Sequence, residues 1–260
     1  MKRSKFLLVL TILVYLFLLG PMVVMVGASF TTAKALKFPP EGFTLAWYAN
    51  SLSLSSFMDG FKVSFGVSLL GTVIAMLIGV PAAYAMNRYQ YPGKQLLGNI
   101  FISPTIIPAI VLGFALLKSF VPRVGGSIYA GLLIGYALIA LPYVIRTTSS
   151  ALSNFDFAIE EAAMSLGANW AKAFLLSVMP NIRSGLMSAF ILAFINAFND
   201  VSIGVFVSGP GVLTLPMAML GYAETRMDPT IAAMAVMLML MTMALMFIAE
   251  KMLGVKLRNR

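Results

Sequence analysis

The sequence predicts an all-α integral membrane protein of about six transmembrane helices, and three observations carry that prediction. Hydrophobic residues make up 60% of the 260 positions and charged residues 10%, whereas a soluble domain is about 45–50% apolar and about 25% charged. Mean hydropathy is +0.93. Apolar stretches long enough to cross about 30 Å of hydrocarbon run near 6–28, 62–86, 99–120, 127–148, 186–208 and 230–250. Only the segments 29–61 and 146–185 are long and more polar, so one transmembrane domain over 1–260 is expected.

The first span follows Met1-Lys2-Arg3-Ser4-Lys5 and runs from Phe6 to Ala28. With Gly27-Ala28-Ser29 as a small-residue cleavage site this could be a secretory signal, but signal h-regions are about 7–15 residues. The longer run is expected to be an uncleaved membrane helix. The connection after it holds Pro39-Pro40, which stiffen an extended start, and Trp47-Tyr48, which suit a short helix at the membrane–water interface. Gly and Pro interrupt several spans at Gly20-Pro21, Gly79-Pro81, Pro104, Pro108 and Pro142, where kinks are expected.

Orientation follows from basic residues. With the N-terminus inside, Lys2, Arg3, Lys5, Arg88, Lys94, Arg146, Lys172, Arg183, Lys251, Lys256, Arg258 and Arg260 fall on the cytoplasmic side, 12 of the 18 Lys and Arg. Lys34, Lys37, Lys62, Lys118, Arg123 and Arg226 fall outside. The excess predicts N-in, C-in. The net charge of +9 is therefore the positive-inside pattern and not a nucleic-acid face.

Several function classes drop out. Zero Cys and zero His leave no disulfide, no thiolate metal site and no imidazole base. Nineteen Met, dense from Met234 to Met246, are expected as flexible apolar filling and not as a metal path. An intramembrane enzyme would need a paired set of reactive groups, and a secondary transporter commonly carries several intramembrane ionisable residues and a repeat; neither pattern is visible. No G-x-x-x-x-G-K-[ST] phosphate loop is present, and Gly93-Lys94-Gln95 is not one.

The segment between the fourth and fifth spans is too polar to cross and is patterned. Asn154 is expected to cap a helix over Phe155 to Leu166, with Asp156, Glu160 and Glu161 in its N-terminal half, where carboxylates complement the helix dipole. Gly167 would end it as a C′ residue. A second helix should start at Asn169, carry Trp170, Ala173, Phe174, Leu176 and Val178, and stop at Pro180. Such apolar residues in a loop must pack on the chain's own helix ends or enter a groove on a partner.

Glu161-Ala162-Ala163, then Gly167 four residues after Ala163, then Pro180 thirteen after the glycine, resemble the EAA loop of binding-protein-dependent ABC importer permeases. The family pattern has an aliphatic residue where Ser177 stands and a leucine where Met179 stands. The resemblance extends over the chain: Phe38-Pro39-Pro40-Glu41-Gly42-Phe43-Thr44-Leu45 with Trp47-Tyr48, and Ser208-Gly209-Pro210-Gly211 followed by Thr214-Leu215-Pro216, are similar to polyamine-type permeases. It implies a type I ABC importer permease fold, with a cytoplasmic coupling helix in a loop at about 150–182. Glu161, Ala162, Ala163, Gly167 and Pro180 would then be the ATPase-coupling residues. It further implies two ATPase subunits that hold the ATP and Mg, a second homologous permease (a heterodimer), an extracytoplasmic solute-binding protein, and a bacterial inner-membrane location. This chain itself is expected to hold no cofactor and no catalytic residue.

Asp200 is the one carboxylate expected well inside a span, and a membrane-buried acid is costly enough to suggest function. Asn196, Asn199 and Asp200 stand at i, i+3 and i+4, so a continuous helix would put them on one face. That face could meet a cationic solute, and an acid occurs in a comparable region of polyamine permeases; a hydrogen-bonded interface between permease halves is the structural alternative. Glu224 and Asp228, in the outer loop before the last span, either line the entrance or are solvated, and solvation is the expectation. Putrescine or spermidine is the first expectation for the solute and 2-aminoethylphosphonate the second.

Overall fold

The computed structural model describes residues 5–252. The basic residues Lys2, Arg3, Lys256, Arg258 and Arg260, which enter the orientation count, lie outside them. Among the described residues the secondary structure is helical, apart from one isolated bridge between Gly209 and Val212.

The helices in order are α1 (Lys5–Ser29), α2 (Ala46–Ser53), α3 (Ser55–Arg88), α4 (Lys94–Thr105), α5 (Ala109–Val124), α6 (Ile128–Leu152), α7 (Ala158–Ser165), α8 (Trp170–Asn181), α9 (Arg183–Phe198), α10 (Ser202–Val207), α11 (Leu215–Thr225) and α12 (Thr230–Met252). Among the described residues α1, α3, α6 and α12 are long and apolar enough to cross a membrane, and counting each of two bent pairs as one span gives up to six. The 34 residues of α3 extend about 51 Å at 1.5 Å per residue, longer than the hydrocarbon layer, so one end projects.

Proline acts differently from place to place. The helices run through Pro21, Pro81 and Pro142. Around Pro104 and Pro108 the expected span 99–120 is instead two helices bent by 92°. Pro104 opens a 3₁₀ turn over Ser103–Thr105, and Pro108 disfavours helix at Ile107 before it. A bend of 76° separates α8 from α9 at Ile182. The expected span 186–208 is also interrupted, since α9 ends at Phe198 and α10 starts at Ser202.

The chain's contacts group into two compact units, one of residues up to Asp59 with Ala218–Met243, the other of Gly60–Met217 with the residues from Ala244 on. In the first, the segment after α1 folds over its end. The Trp47 indole N–H donates to the Thr31 carbonyl at 2.7 Å, Ser29 and Tyr48 hydroxyls meet at 2.7 Å, and Phe30 stacks on Phe43 at 4.8 Å. Asn50 Nδ2 donates to Thr230 Oγ1 at 2.9 Å, tying α2 to the start of α12.

The second unit holds two apolar cores. One gathers Ala75, Val80, Ala83 and Tyr84 of α3 with Ala140, Val144 and Ile145 of α6, Val178 of α8 and Leu186 and Ala193 of α9. The other joins Val67, Leu116, Leu132, Tyr136, Ala197 and Ile203. Small residues let membrane helices approach closely. A Cβ on Gly185 of α9 would lie 2.3 Å from Ala151 Cβ of α6, and one on Gly71 of α3 would lie 3.1 Å from the Ala137 backbone nitrogen.

Candidate functional site

The segment between α6 and α9 folds as two helices. Helix α6 continues to Leu152, and Asn154, expected to cap the next helix, instead donates its side-chain N–H to the Ser150 carbonyl at 3.0 Å. Phe157 is the N-cap of α7, and just before it Asp156 Oδ1 accepts from Ala158 N–H at 2.9 Å in a tight turn, so α7 starts at Ala158 and not at Phe155. The short aspartate reaches the exposed N–H groups of the first turn, and Glu160 and Glu161 in that turn complement the dipole.

Gly167 ends α7 as expected, with φ +95°. Its N–H bonds the Met164 carbonyl at 2.9 Å and Ala168 N–H bonds the Ala163 carbonyl at 3.1 Å, the paired closure of a Schellman motif. Asn169 caps α8 as expected, its side chain accepting from Lys172 N–H at 2.9 Å. Pro180 does not stop that helix, which runs on to Asn181. A π-type turn over Phe174–Val178 precedes it and widens the backbone where the proline ring would otherwise press on the Leu176 carbonyl.

The residues expected to couple to a partner lie on this pair of helices. Glu161 is 58% exposed, and its Oε1 sits 2.8 Å from Arg88 Nη2, so its basic partner here is in its own chain, at the end of α3. Ala162 and Gly167 are exposed and Ala163 is half-buried. Beside them Leu166 is 89% and Leu176 75% exposed, and Leu175 and Trp170 are exposed too. The outer surface of the pair therefore carries an apolar patch with small residues beside the charged Glu161.

Its inner surface holds residues that sequence reasoning missed. Glu160 is fully buried; the Tyr84 hydroxyl donates to its Oε1, and Arg88 Nε lies 3.3 Å from its Oε2. The Trp170 indole N–H donates to the same Tyr84 oxygen at 3.2 Å. Tyr84 packs on Phe174 with ring centroids 4.8 Å apart, and the Arg88 guanidinium sits 5.3 Å from the Phe157 ring centroid. A buried carboxylate is tolerable only with partners of this kind. Two signals pointed to it: Glu160 precedes Glu161 by one residue, so helix geometry turns it to another face, and Tyr84 and Arg88 are i, i+4 neighbours at a helix end.

The second candidate group does not share one helix face, because α9 ends at Phe198. Asn196 is on the helix and donates to the Tyr143 hydroxyl of α6 at 3.2 Å, while Asn199 is the exposed C-terminal cap. Asp200 sits in the break, half-buried, one residue before the N-cap Val201 of α10, with Oδ1 accepting from Ile203 N–H at 2.8 Å. The short aspartate offers the backbone an alternative to continued helix, which the face argument left out. The Tyr136 hydroxyl donates to the Asp200 carbonyl at 3.5 Å.

Glu224 is exposed as expected, but Asp228 is more than solvated. It accepts from the Tyr222 hydroxyl at 2.8 Å and from Thr230 N–H at 2.9 Å. Burial alone would raise its carboxyl, but hydrogen bonds from Thr230 and Tyr222 outweigh that and hold it below the usual aspartate value.

Comparison with known proteins agrees with this architecture. Residues 75–254 match the family described as binding-protein-dependent transport system inner membrane component. The chain is 30% identical over 244 residues to the putrescine transport system permease protein PotI of Escherichia coli strain K12, covering 91% of this chain and 86% of the relative. It is 32% identical over 215 residues to the trehalose transport system permease protein SugB of Mycobacterium tuberculosis, covering 80% and 78%. A solved bacterial ABC transporter involved in the import of the acidic polysaccharide alginate shares the fold, with TM-score 0.72 at 18% identity over 96% of this chain and 98% of that one.

Proposed function

Because the chain belongs to the binding-protein-dependent transport system inner membrane component family, as a multi-pass inner-membrane permease subunit of ABC importers without an ATPase site of its own, we propose that it forms part of the path for a small cationic solute, a polyamine such as putrescine or spermidine. The solute is handed over by an extracytoplasmic binding protein and moved by ATP hydrolysis on two separate subunits, which hold the ATP and Mg. A second, related permease completes the pore as a heterodimer, with both termini of this chain in the cytoplasm.

The observation that supports this most is the helix pair α7–α8. It carries an exposed apolar surface of Ala162, Leu166, Leu175 and Leu176 next to the left-handed Gly167, while its inner side is held to α3. An apolar patch outside a span and fixed in position is a docking surface for a protein partner, and in this proposal the partner is the ATPase. Two-state motion of the spans, biased by that partner, gives alternating access.

The polyamine assignment is supported by similarity to a putrescine permease over nine-tenths of the chain and by Asp200, a carboxylate at a helix break in the bundle. The comparable identity to a trehalose permease favours a second reading in which the solute is a small neutral sugar. Purification of the tagged subunit in mild detergent, with mass spectrometry of what stays bound, tests the assembly. An ATPase, a second permease and a binding protein are expected, and recovery of the chain alone, transport-active without ATP, would overturn the proposal. Binding of putrescine, 2-aminoethylphosphonate and trehalose to the recovered binding protein then decides the solute.

A further inference from the structure

The helix pair α7–α8 is continuous in the chain with α6 and α9, yet the polar links that hold it run to a third helix, 76 residues away from Glu160 in sequence. Trp170 of α8 donates to Tyr84, Tyr84 donates to Glu160 of α7, and Arg88 faces Glu160 at 3.3 Å and Glu161 at 2.8 Å. Tyr84 and Glu160 are both almost fully buried, and Glu160 is the one member whose carboxylate has no access to solvent. Both short helices are thus fastened to one turn of α3, at its C-terminal end.

We infer that Tyr84, Glu160 and Arg88 form a clamp that makes α7, α8 and the end of α3 one mechanical piece, so that displacement of the loop by its partner is delivered first to α3. This rests on the permease reading above. Glu160 and not the exposed Glu161 carries the link, because a buried carboxylate that loses a partner cannot turn to water for another. Tyr84, Glu160 and Arg88 act here as positioning residues and touch no solute.

The chain has zero Cys, so Ser165→Cys gives a single labelling position on this chain at the exposed end of α7, where a nitroxide reports the motion of the helix. Glu160→Gln keeps the side-chain shape but turns an amide N–H toward Arg88 or Tyr84, and Tyr84→Phe keeps the ring contacts with Phe174 and Phe157 while removing the hydroxyl. Both are expected to narrow the label's spectrum relative to the labelled parent chain, and the double variant should be no looser than the singles, since all cut one link. In liposomes holding the whole complex, the ATP hydrolysed per putrescine taken up should rise about tenfold while the ATPase remains bound.

Spectra unchanged in both variants would overturn the clamp, and loosened spectra with an unchanged ATP-to-putrescine ratio would overturn the transmission. If the unlabelled wild-type chain retains no ATPase, the permease reading falls and the transmission falls with it, while the spectra still decide whether the clamp exists.

Discussion

Replacing Gly167 isolates the contribution of one backbone angle to the docking helix. Its φ is +95°, and a Cβ built there meets nothing within 4 Å, so Gly167→Ala introduces backbone strain without a clash. An L-residue in the left-handed region loses about 1–2 kcal/mol, which corresponds to about 5- to 30-fold in the opening equilibrium of the helix end. The two closing bonds, Gly167 N–H to Met164 and Ala168 N–H to Ala163, are the ones that open. Because α7 has eight residues and short helices are marginal alone, little else holds this end shut. Hydrogen exchange read on a peptide spanning 158–168 should show faster exchange by that factor in Gly167→Ala and a smaller change in Gly167→Asn, since asparagine tolerates the left-handed region better. Gly167→Pro removes one bonding N–H as well as imposing the wrong φ and should exchange fastest. Equal protection in the wild type and Gly167→Ala would refute the idea that this angle sets the end of α7.

Three further outcomes follow from the same geometry. Asp200→Asn keeps an oxygen to accept from Ile203 N–H but removes the charge, so putrescine uptake should fall while assembly persists; unchanged uptake kinetics would leave Asp200 with only its bond to the start of α10. Gly185→Ala drives a methyl group to 2.3 Å from Ala151 Cβ and should lower thermal stability by about 1–3 kcal/mol, with Ala151→Gly restoring part of it; a melting temperature equal to wild type would contradict the close approach of α6 and α9. At Asp228 the folded carboxyl titrates below its ordinary value of 3.8. A depressed carboxyl contributes stability that is present above the ordinary value and lost as pH falls through the lower folded one. Hydrogen exchange around Thr230 should therefore accelerate below about pH 3.8, and Asp228→Asn should remove that pH dependence.

Much of the local helix geometry of residues 154–180 was legible in short-range spacing. Gly167 as a helix end and Asn169 as a cap were readable because each depends on a local backbone need that one residue type meets. The start of α7 was misplaced by three residues because Asn154 and Asp156 both favour local side-chain to backbone bonds, and here Asn154 bonds back to α6 while Asp156 makes the turn before α7. For Glu161, the sequence signal located the residue but not its partner, since Arg88 lies 73 positions away.

The sequence by itself determined that the chain lives in lipid, how many apolar runs it has and where its helical loop lies, because these depend on composition and short-range spacing. Tertiary structure alone decided where the spans break and which acid does what. The breaks at Ile182 and at 199–201 arise where capping and packing outweigh hydropathy, which takes no account of helix ends. Of two adjacent glutamates on α7, one is exposed and one is buried against Tyr84 and Arg88. A one-residue step turns a side chain by about 100° around a helix, and only the position of α3 settles which side faces inward.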